Sequence, residues 1–127
     1  MRKLLLSVPL VALLAACGSP PTDYTLAKTR DCLEKTGAQI AHPKGDFVAS
    51  TASGGDFRAV LHGGSNFVTV SFGADDQEAQ QVAQGYVRFH GANIGVADIL
   101  YESRNAVMLW KLHPSDDELK VVTDCLK

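Results

Sequence analysis

The amino-terminal segment limits how much of this chain can form a folded domain. Arg2 and Lys3 precede an apolar run, Leu4–Leu14, which is followed by two small residues and then Cys17. A basic head, an apolar stretch and small residues before a cleavage point are the layout of an export signal. Even with Ala15 and Ala16 included, this stretch of 13 residues is shorter than the roughly 20 that a bilayer crossing needs. Cleavage before Cys17 would leave 111 of the 127 residues, enough for one domain with one core.

The end of this signal, Leu14-Ala15-Ala16-Cys17, resembles the lipobox of bacterial lipoproteins. The resemblance covers the signal segment alone. It implies that a diacylglyceryl thioether forms on Cys17, that residues 1–16 are removed, and that the new amino terminus is acylated, as by palmitate. Several acyl chains hold a protein stably at a membrane. We therefore expect an extracytoplasmic protein anchored to the bacterial cell membrane or the outer membrane; Gly18, where an inner-membrane retention signal would have Asp, favours the outer membrane.

The remaining cysteines, Cys32 and Cys125, form an even pair in a chain that the signal sends to an oxidising compartment. This predicts one disulfide that closes most of the domain; the alternative is two free buried thiols. Residues 17–24 are predicted to be the lipidated tether, in which Pro20 and Pro21 favour an extended form that reaches about 20 Å. Residues 25–127 are predicted to form a single domain.

Apolar periodicity predicts three helices and two hairpins in this domain. The helices are Thr25–Lys35, Asp75–His90 and Asp116–Leu126. The hairpins pair Phe57–His62 with Phe67–Phe72 and Ile94–Tyr101 with Ala106–Leu112, and Ala38–Ala41 and Asp46–Ser50 are possible short strands. The order αβ(β)ββαββα predicts an α+β two-layer sandwich, with three helices on one face of a mostly antiparallel sheet of four to six strands.

The alternation of apolar residues also predicts the register of both hairpins. In the first, Leu61 should lie opposite Val68 and Phe57 opposite Phe72, so that the residues paired on this face are all apolar. In the second, Tyr101 should lie opposite Ala106, and the chain should turn at Ser103-Arg104. This hairpin carries a stripe that could be core or an exposed partner patch: Tyr101, Met108 and Trp110.

Charge and spacing argue against several functions. Removal of Arg2 and Lys3 lowers the formal net charge from −2 to −4, and no basic run with interleaved aromatic residues is present, so nucleic-acid binding is not expected. The four histidines do not have metal-ligand spacing, so no metal or cofactor is expected. The pairs Asp75-Asp76 and Asp116-Asp117 open predicted helices, where carboxylates satisfy free amides.

The loops His42–Gly45 and Thr51–Asp56 are the least constrained segments, and loops often carry binding function. Together with the outer face of the first hairpin they could line a shallow recognition surface, or be ordinary solvated connections. The candidate residues are His42, Lys44, Arg58, His62 and Asn66. The leading hypothesis is a monomeric, non-catalytic module that binds an envelope protein, a peptide or a small ligand. The alternative is a secreted hydrolase or enzyme inhibitor that uses His62 or a loop carboxylate.

Overall fold

The computed structural model describes residues 23–90 and 95–127, so Cys17 and most of the predicted tether lie outside the described residues. Five antiparallel strands form one sheet in the order β1-β2-β3-β5-β4. The helices are α1 (Leu26–Lys35), α2 (Asp76–His90) and α3 (Asp116–Cys125), with short 3₁₀ helices η1 (Ala49–Thr51) and η2 (Val96–Asp98). The strands are β1 (Gln39–Ala41), β2 (Asp56–Val60), β3 (Phe67–Phe72), β4 (Leu100–Ser103) and β5 (Ala106–Trp110). The α+β class and the order of elements are confirmed.

The helices cover both faces of the sheet, so the expectation that all three share one face was wrong. Helices α1 and α3 pack on the face that carries Val70 and Met108, whereas α2 packs on the opposite face, which carries Val107. Successive residues of a strand point to opposite faces. Because Val107 and Met108 are both buried, each face of β5 needs its own cover. We call the two sides the α1/α3 face and the α2 face.

A disulfide joins Cys32 of α1 to Cys125 of α3, as predicted, with the two Cα atoms 5.4 Å apart. It closes a loop with a sequence separation of 93 residues. The chain-entropy model gives such a bridge about 4–5 kcal/mol of stability. The two ends of the described chain also meet directly, because the Thr25 amide donates to the Lys127 carbonyl at 2.7 Å.

Side-chain caps begin all three helices near the predicted residues. Thr25 caps α1 by accepting a hydrogen bond from the Lys28 amide. Asp75 accepts a hydrogen bond from the Glu78 amide at 2.8 Å at the start of α2. At α3, Ser115 and Glu118 form a reciprocal capping box, in which each side chain accepts a hydrogen bond from the backbone amide of the other residue. The prediction that the acidic pairs open helices is confirmed.

Both hairpins pair two residues away from the predicted register. Ala59 lies opposite Val68 in the first hairpin, and Tyr101 lies opposite Met108 in the second. A shift of two residues keeps each side chain on its predicted face, since the side-chain period of a strand is two. Of the two alternatives for the apolar stripe of the second hairpin, core packing is confirmed, since Met108 and Trp110 are each only 1% exposed.

Buried asparagines explain both register shifts. The Asn66 side-chain oxygen accepts hydrogen bonds from the amides of Phe67 and Leu112, so this residue ends a longer connection between β2 and β3. The Asn105 side chain is buried and bonds to Tyr24 and Gly73, so the second turn lies one residue later than predicted. Propensity patterns do not reveal such side-chain bonds to distant backbone.

Two predicted strand segments are not strands. The Asp46 carboxylate accepts a hydrogen bond from the Ala49 amide at 2.9 Å, which folds this segment into turns and η1. Residues Val96–Asp98 form η2 instead of extending β4, and Ile94 lies outside the described residues. In each case a local hydrogen bond competes with strand pairing.

Candidate functional site

The α2 face is only partly covered, because α2 packs mainly over β5 and β4. Its apolar cluster is small and centres on the inward stripe of α2. On β2 and β3 the side chains that point to this face include Arg58, Thr69 and Ser71. Two open clefts therefore flank α2, one on each side, and each is lined by the edge of the apolar cluster together with charged side chains.

The first cleft, which we call the basic cleft, has a volume of about 480 Å³. It lies between the segment 44–48, the end of α2 and the neighbouring strands. Phe47 and Phe89 stand at its rim with 56% and 61% of their surface exposed. Their rings meet edge to face with centroids 4.7 Å apart. Two large apolar side chains in contact, both largely in water, form a patch that burial in a partner would stabilise.

Two cations line the same cleft. Lys44 is exposed at one side, and the Arg58 guanidinium lies 4.3 Å from the centroid of the Phe67 ring. The Arg58 Nε is buried and has no hydrogen-bond partner in the described part of the chain. The ion pairs among residues 23–90 and 95–127 include neither Lys44 nor Arg58. The Asp46 carboxylate also lines the cleft, so two cations face one carboxylate and the cleft is net basic, although the protein as a whole is acidic.

A buried tyrosine fixes one wall of the basic cleft. The Tyr86 hydroxyl donates a hydrogen bond to Asp46 Oδ2 at 2.7 Å, and only 1% of the tyrosine is exposed. Burial raises the pKa of Tyr86, and the hydrogen bond to Asp46 raises this pKa further. The bond holds the segment after Lys44 against α2, which places Phe47 beside Phe89.

The second cleft, which we call the β4 groove, lies between α2 and β4 and has a volume of about 660 Å³. Ala83 and Val87 of α2 and Leu100 of β4 supply its apolar lining. Arg88 and Glu102 stand at its walls, and both are exposed. Neither side chain forms an ion pair with another residue that the structure describes.

The structure separates the five candidate binding residues. Lys44 and Arg58 share the basic cleft. His42 lines a different cleft, of about 300 Å³, beside α1. His62 lines a smaller one, of about 190 Å³, beside α3. Asn66 is 4% exposed, and both its amide oxygen and its amide nitrogen bond within the protein.

The histidines have no arrangement that suggests a reaction. None of His42, His62 and His113, whose side chains the structure describes, forms an ion pair with a carboxylate in the described part of the chain. No group of three or more His, Cys, Asp and Glu residues in the described part could hold a metal ion. His113 is engaged through Nδ1, which lies 2.9 Å from the Asp98 carbonyl oxygen.

Neither rim residue of the basic cleft is among the candidate residues that the sequence predicts. Phe47 falls in the possible strand Asp46–Ser50, and helical spacing places either Phe89 or His90 on the inward stripe of α2. Phe89 has the helical spacing of a core residue but remains largely exposed. One sequence signal was available: Phe47 lies two residues after the turn residues Pro43-Lys44-Gly45, where a large apolar side chain is unusual.

Among the described residues, none of the helices has the length and apolar character to cross a bilayer. Comparisons with protein-family models, with curated proteins and with solved structures find no match for this chain. A functional proposal therefore depends on the residues of the chain itself.

Proposed function

We propose that this chain is a lipid-anchored, extracytoplasmic binding module without catalytic activity. Its basic cleft would hold an acidic segment of an envelope protein or peptide that also presents an aromatic side chain. The observation that carries the proposal is the exposed Phe47–Phe89 pair beside Lys44 and Arg58. Aromatic and arginine side chains are the residues that most often dominate binding energy at protein interfaces.

The chemistry of the partner follows from charge. Lys44 and Arg58 concentrate positive charge in one cleft of an acidic protein, which favours an anionic partner and speeds its approach. The Arg58 guanidinium already lies over the Phe67 ring, so its binding to a partner would order few additional torsions. A partner ring that packs on Phe47 would remove apolar surface from water.

The entry point of the tether supports a soluble partner rather than a lipid surface. Tyr24 is held at the β4–β5 turn, because its amide donates to Asn105 Oδ1 at 2.8 Å and its carbonyl accepts from Asn105 Nδ2 at 2.9 Å. The Asn105 backbone carbonyl also accepts a hydrogen bond from the Gly73 amide, which lies just before α2. Phe89 stands in the last turn of α2, and a helix of 15 residues is about 22 Å long. A monomer anchored through Cys17 would thus present the basic cleft away from the membrane.

The anchor is tested by labelled palmitate in cells that express the full chain. Wild-type protein should carry the label and remain with the membrane fraction. A Cys17→Ser variant should carry no label, because the thioether cannot form. Unlabelled wild-type protein would overturn the anchored part of the proposal.

The basic cleft is tested by titrating the soluble domain with the peptide acetyl-Asp-Phe-Asp-Phe-Asp-amide and recording backbone amide shifts by NMR. We expect shifts at residues 44–48, at Arg58 and at Phe89. The analogue with Lys in place of each Asp should bind at least about tenfold more weakly, since one lost ion pair or anchor contact costs roughly that factor.

Two charge reversals provide the matched comparison. Lys44→Glu should weaken the acidic peptide severalfold, whereas Lys35→Glu, in the last turn of α1 on the other face, should leave its affinity unchanged. Equal binding of both peptides, equal effects of both substitutions, or shifts confined to other surfaces would overturn the assignment of the basic cleft.

A further inference from the structure

We infer that β4 accepts an extended polypeptide segment of a partner protein as a sixth, antiparallel strand, with alternate side chains of that segment in the β4 groove. This inference concerns the other side of α2. It depends neither on the basic cleft nor on the lipid anchor.

The first observation is the free edge of β4. This strand ends the sheet, and no strand in the described part of the chain pairs with its outer side. The Trp110 amide donates to the Ile99 carbonyl at 2.8 Å, in the same register in which Tyr101 lies opposite Met108. Because bonded and non-bonded residues alternate in an antiparallel pair, the N–H and C=O groups of Leu100 and Glu102 point away from β5.

The second observation is a difference between the two edges of the sheet. Strand β1 is followed closely by Pro43, and proline at an edge hinders pairing with other chains. Strand β4, with four residues against the three of β1, contains neither proline nor lysine, and its sequence is Leu-Tyr-Glu-Ser. An edge of this kind is suited to strand addition, a common mode of peptide recognition.

The third observation is the groove beside this edge. The side chains of Leu100 and Glu102 line the β4 groove together with α2. In an added antiparallel strand, the residues opposite these two positions would point into the same groove. The apolar lining that Ala83, Val87 and Leu100 form would take an apolar side chain.

Charge determines the order of side chains in the added strand. Helix α2 and strand β4 run in opposite directions, because Gly73, before α2, bonds to Asn105, after β4. Arg88 therefore lies toward the Leu100 end of the groove. An antiparallel segment would place a basic residue opposite Glu102, an apolar residue opposite Leu100 and an acidic residue near Arg88. The recognised pattern is basic-x-apolar-x-acidic.

The probe for this inference is the peptide acetyl-Lys-Thr-Val-Thr-Glu-amide, titrated into the soluble domain with NMR detection. We expect the largest shifts at the amides of residues 100–103 and along the groove side of α2. The same peptide with N-methyl valine keeps every side chain but loses a strand hydrogen bond opposite Leu100. It should bind about tenfold more weakly.

A charge exchange tests the direction of the added strand. The double variant Arg88→Glu/Glu102→Lys should prefer acetyl-Glu-Thr-Val-Thr-Lys-amide to the original probe, whereas Lys35→Glu should keep the wild-type preference. Equal binding of the N-methylated probe, an unchanged preference in the double variant, or no shift in β4 at millimolar peptide would overturn the inference. None of these results bears on the basic cleft, which the acidic aromatic peptide tests separately.

Discussion

The two faces of the sheet are built differently. On the α1/α3 face, buried apolar side chains from three strands, β2, β3 and β5, pack against two helices that a disulfide links. On the α2 face, one helix covers a small apolar cluster, and polar groups and two open clefts take up the rest. The comparison indicates that stability is concentrated on one face, so the other can expose aromatic and charged groups.

The largest effect on this comparison should come from removing the disulfide. Cys32→Ser/Cys125→Ser should lower the free energy of unfolding by about 4–5 kcal/mol, because the unfolded chain is no longer closed across the domain. Urea unfolding of the two proteins measures the difference. A loss below about 1 kcal/mol would mean that the α1/α3 face does not depend on its crosslink.

A matched pair of apolar truncations, one on each face, comes next. Leu33→Ala on α1 should cost about 3 kcal/mol, since this side chain is completely buried. Val87→Ala on α2 should cost less than about 0.5 kcal/mol, because half of its surface is exposed. Urea midpoints compare the two variants. Equal losses would remove the distinction between the faces.

Tyr86→Phe should have a smaller effect, with a defined pH dependence. Loss of the hydrogen bond to Asp46 should cost about 1 kcal/mol at neutral pH. Because burial raises the pKa of Tyr86, its contribution to stability is present below the unfolded pKa, about 10, and declines above it. Thermal unfolding from pH 8 to 11 should show a steeper loss for wild type than for the variant. Parallel curves would contradict this account.

The smallest effect is expected at Glu78, which joins the start of α2 to the preceding loop. Its carboxylate accepts hydrogen bonds from the amides of Ala74 and Ser53 and from the Ser53 hydroxyl. The bond from Ala74, followed by those from Ser53, lowers the pKa of Glu78, so its contribution is present above the unfolded value and lost as the pH falls through the folded value.

Glu78→Gln should therefore destabilise the protein by about 0.5–1 kcal/mol at neutral pH. The difference from wild type should shrink below about pH 4.3, the ordinary pKa of glutamate. Denaturant unfolding at pH 7 and pH 3 measures both values. A difference that stays constant or grows in acid would show that the carboxylate charge is not what holds the loop.

The sequence predicted those features of the fold that one local interaction or one fixed period determines. Thr25, Asp75 and Ser115 mark the helix starts through side-chain caps, which act within three residues. The two non-anchor cysteines predicted the disulfide from compartment and count. Strand faces also followed from alternation, because that period is fixed by strand geometry.

Strand register and the face that each helix covers depend on contacts between residues far apart in the sequence, so local patterns did not predict them. Asn66 and Asn105 determine hairpin register by bonding to backbone far along the chain. Helix α2 packs on the opposite face because both sides of β5 are apolar. The apolar stripe of a helix predicts which side of the helix is buried, but it does not predict which face of the sheet the helix covers. Phe89 has the helical spacing of a core residue, but 61% of its surface is exposed and its ring packs on Phe47 at the rim of the basic cleft.

The central claim, that one face holds the fold and the other binds, is tested most directly by the double variant Lys44→Glu/Phe89→Ala. Its free energy of unfolding and its affinity for acetyl-Asp-Phe-Asp-Phe-Asp-amide would be measured on the same preparation. The account predicts stability within about 0.5 kcal/mol of wild type and affinity at least about tenfold lower. Unchanged affinity, or a loss of several kcal/mol in stability, would contradict it.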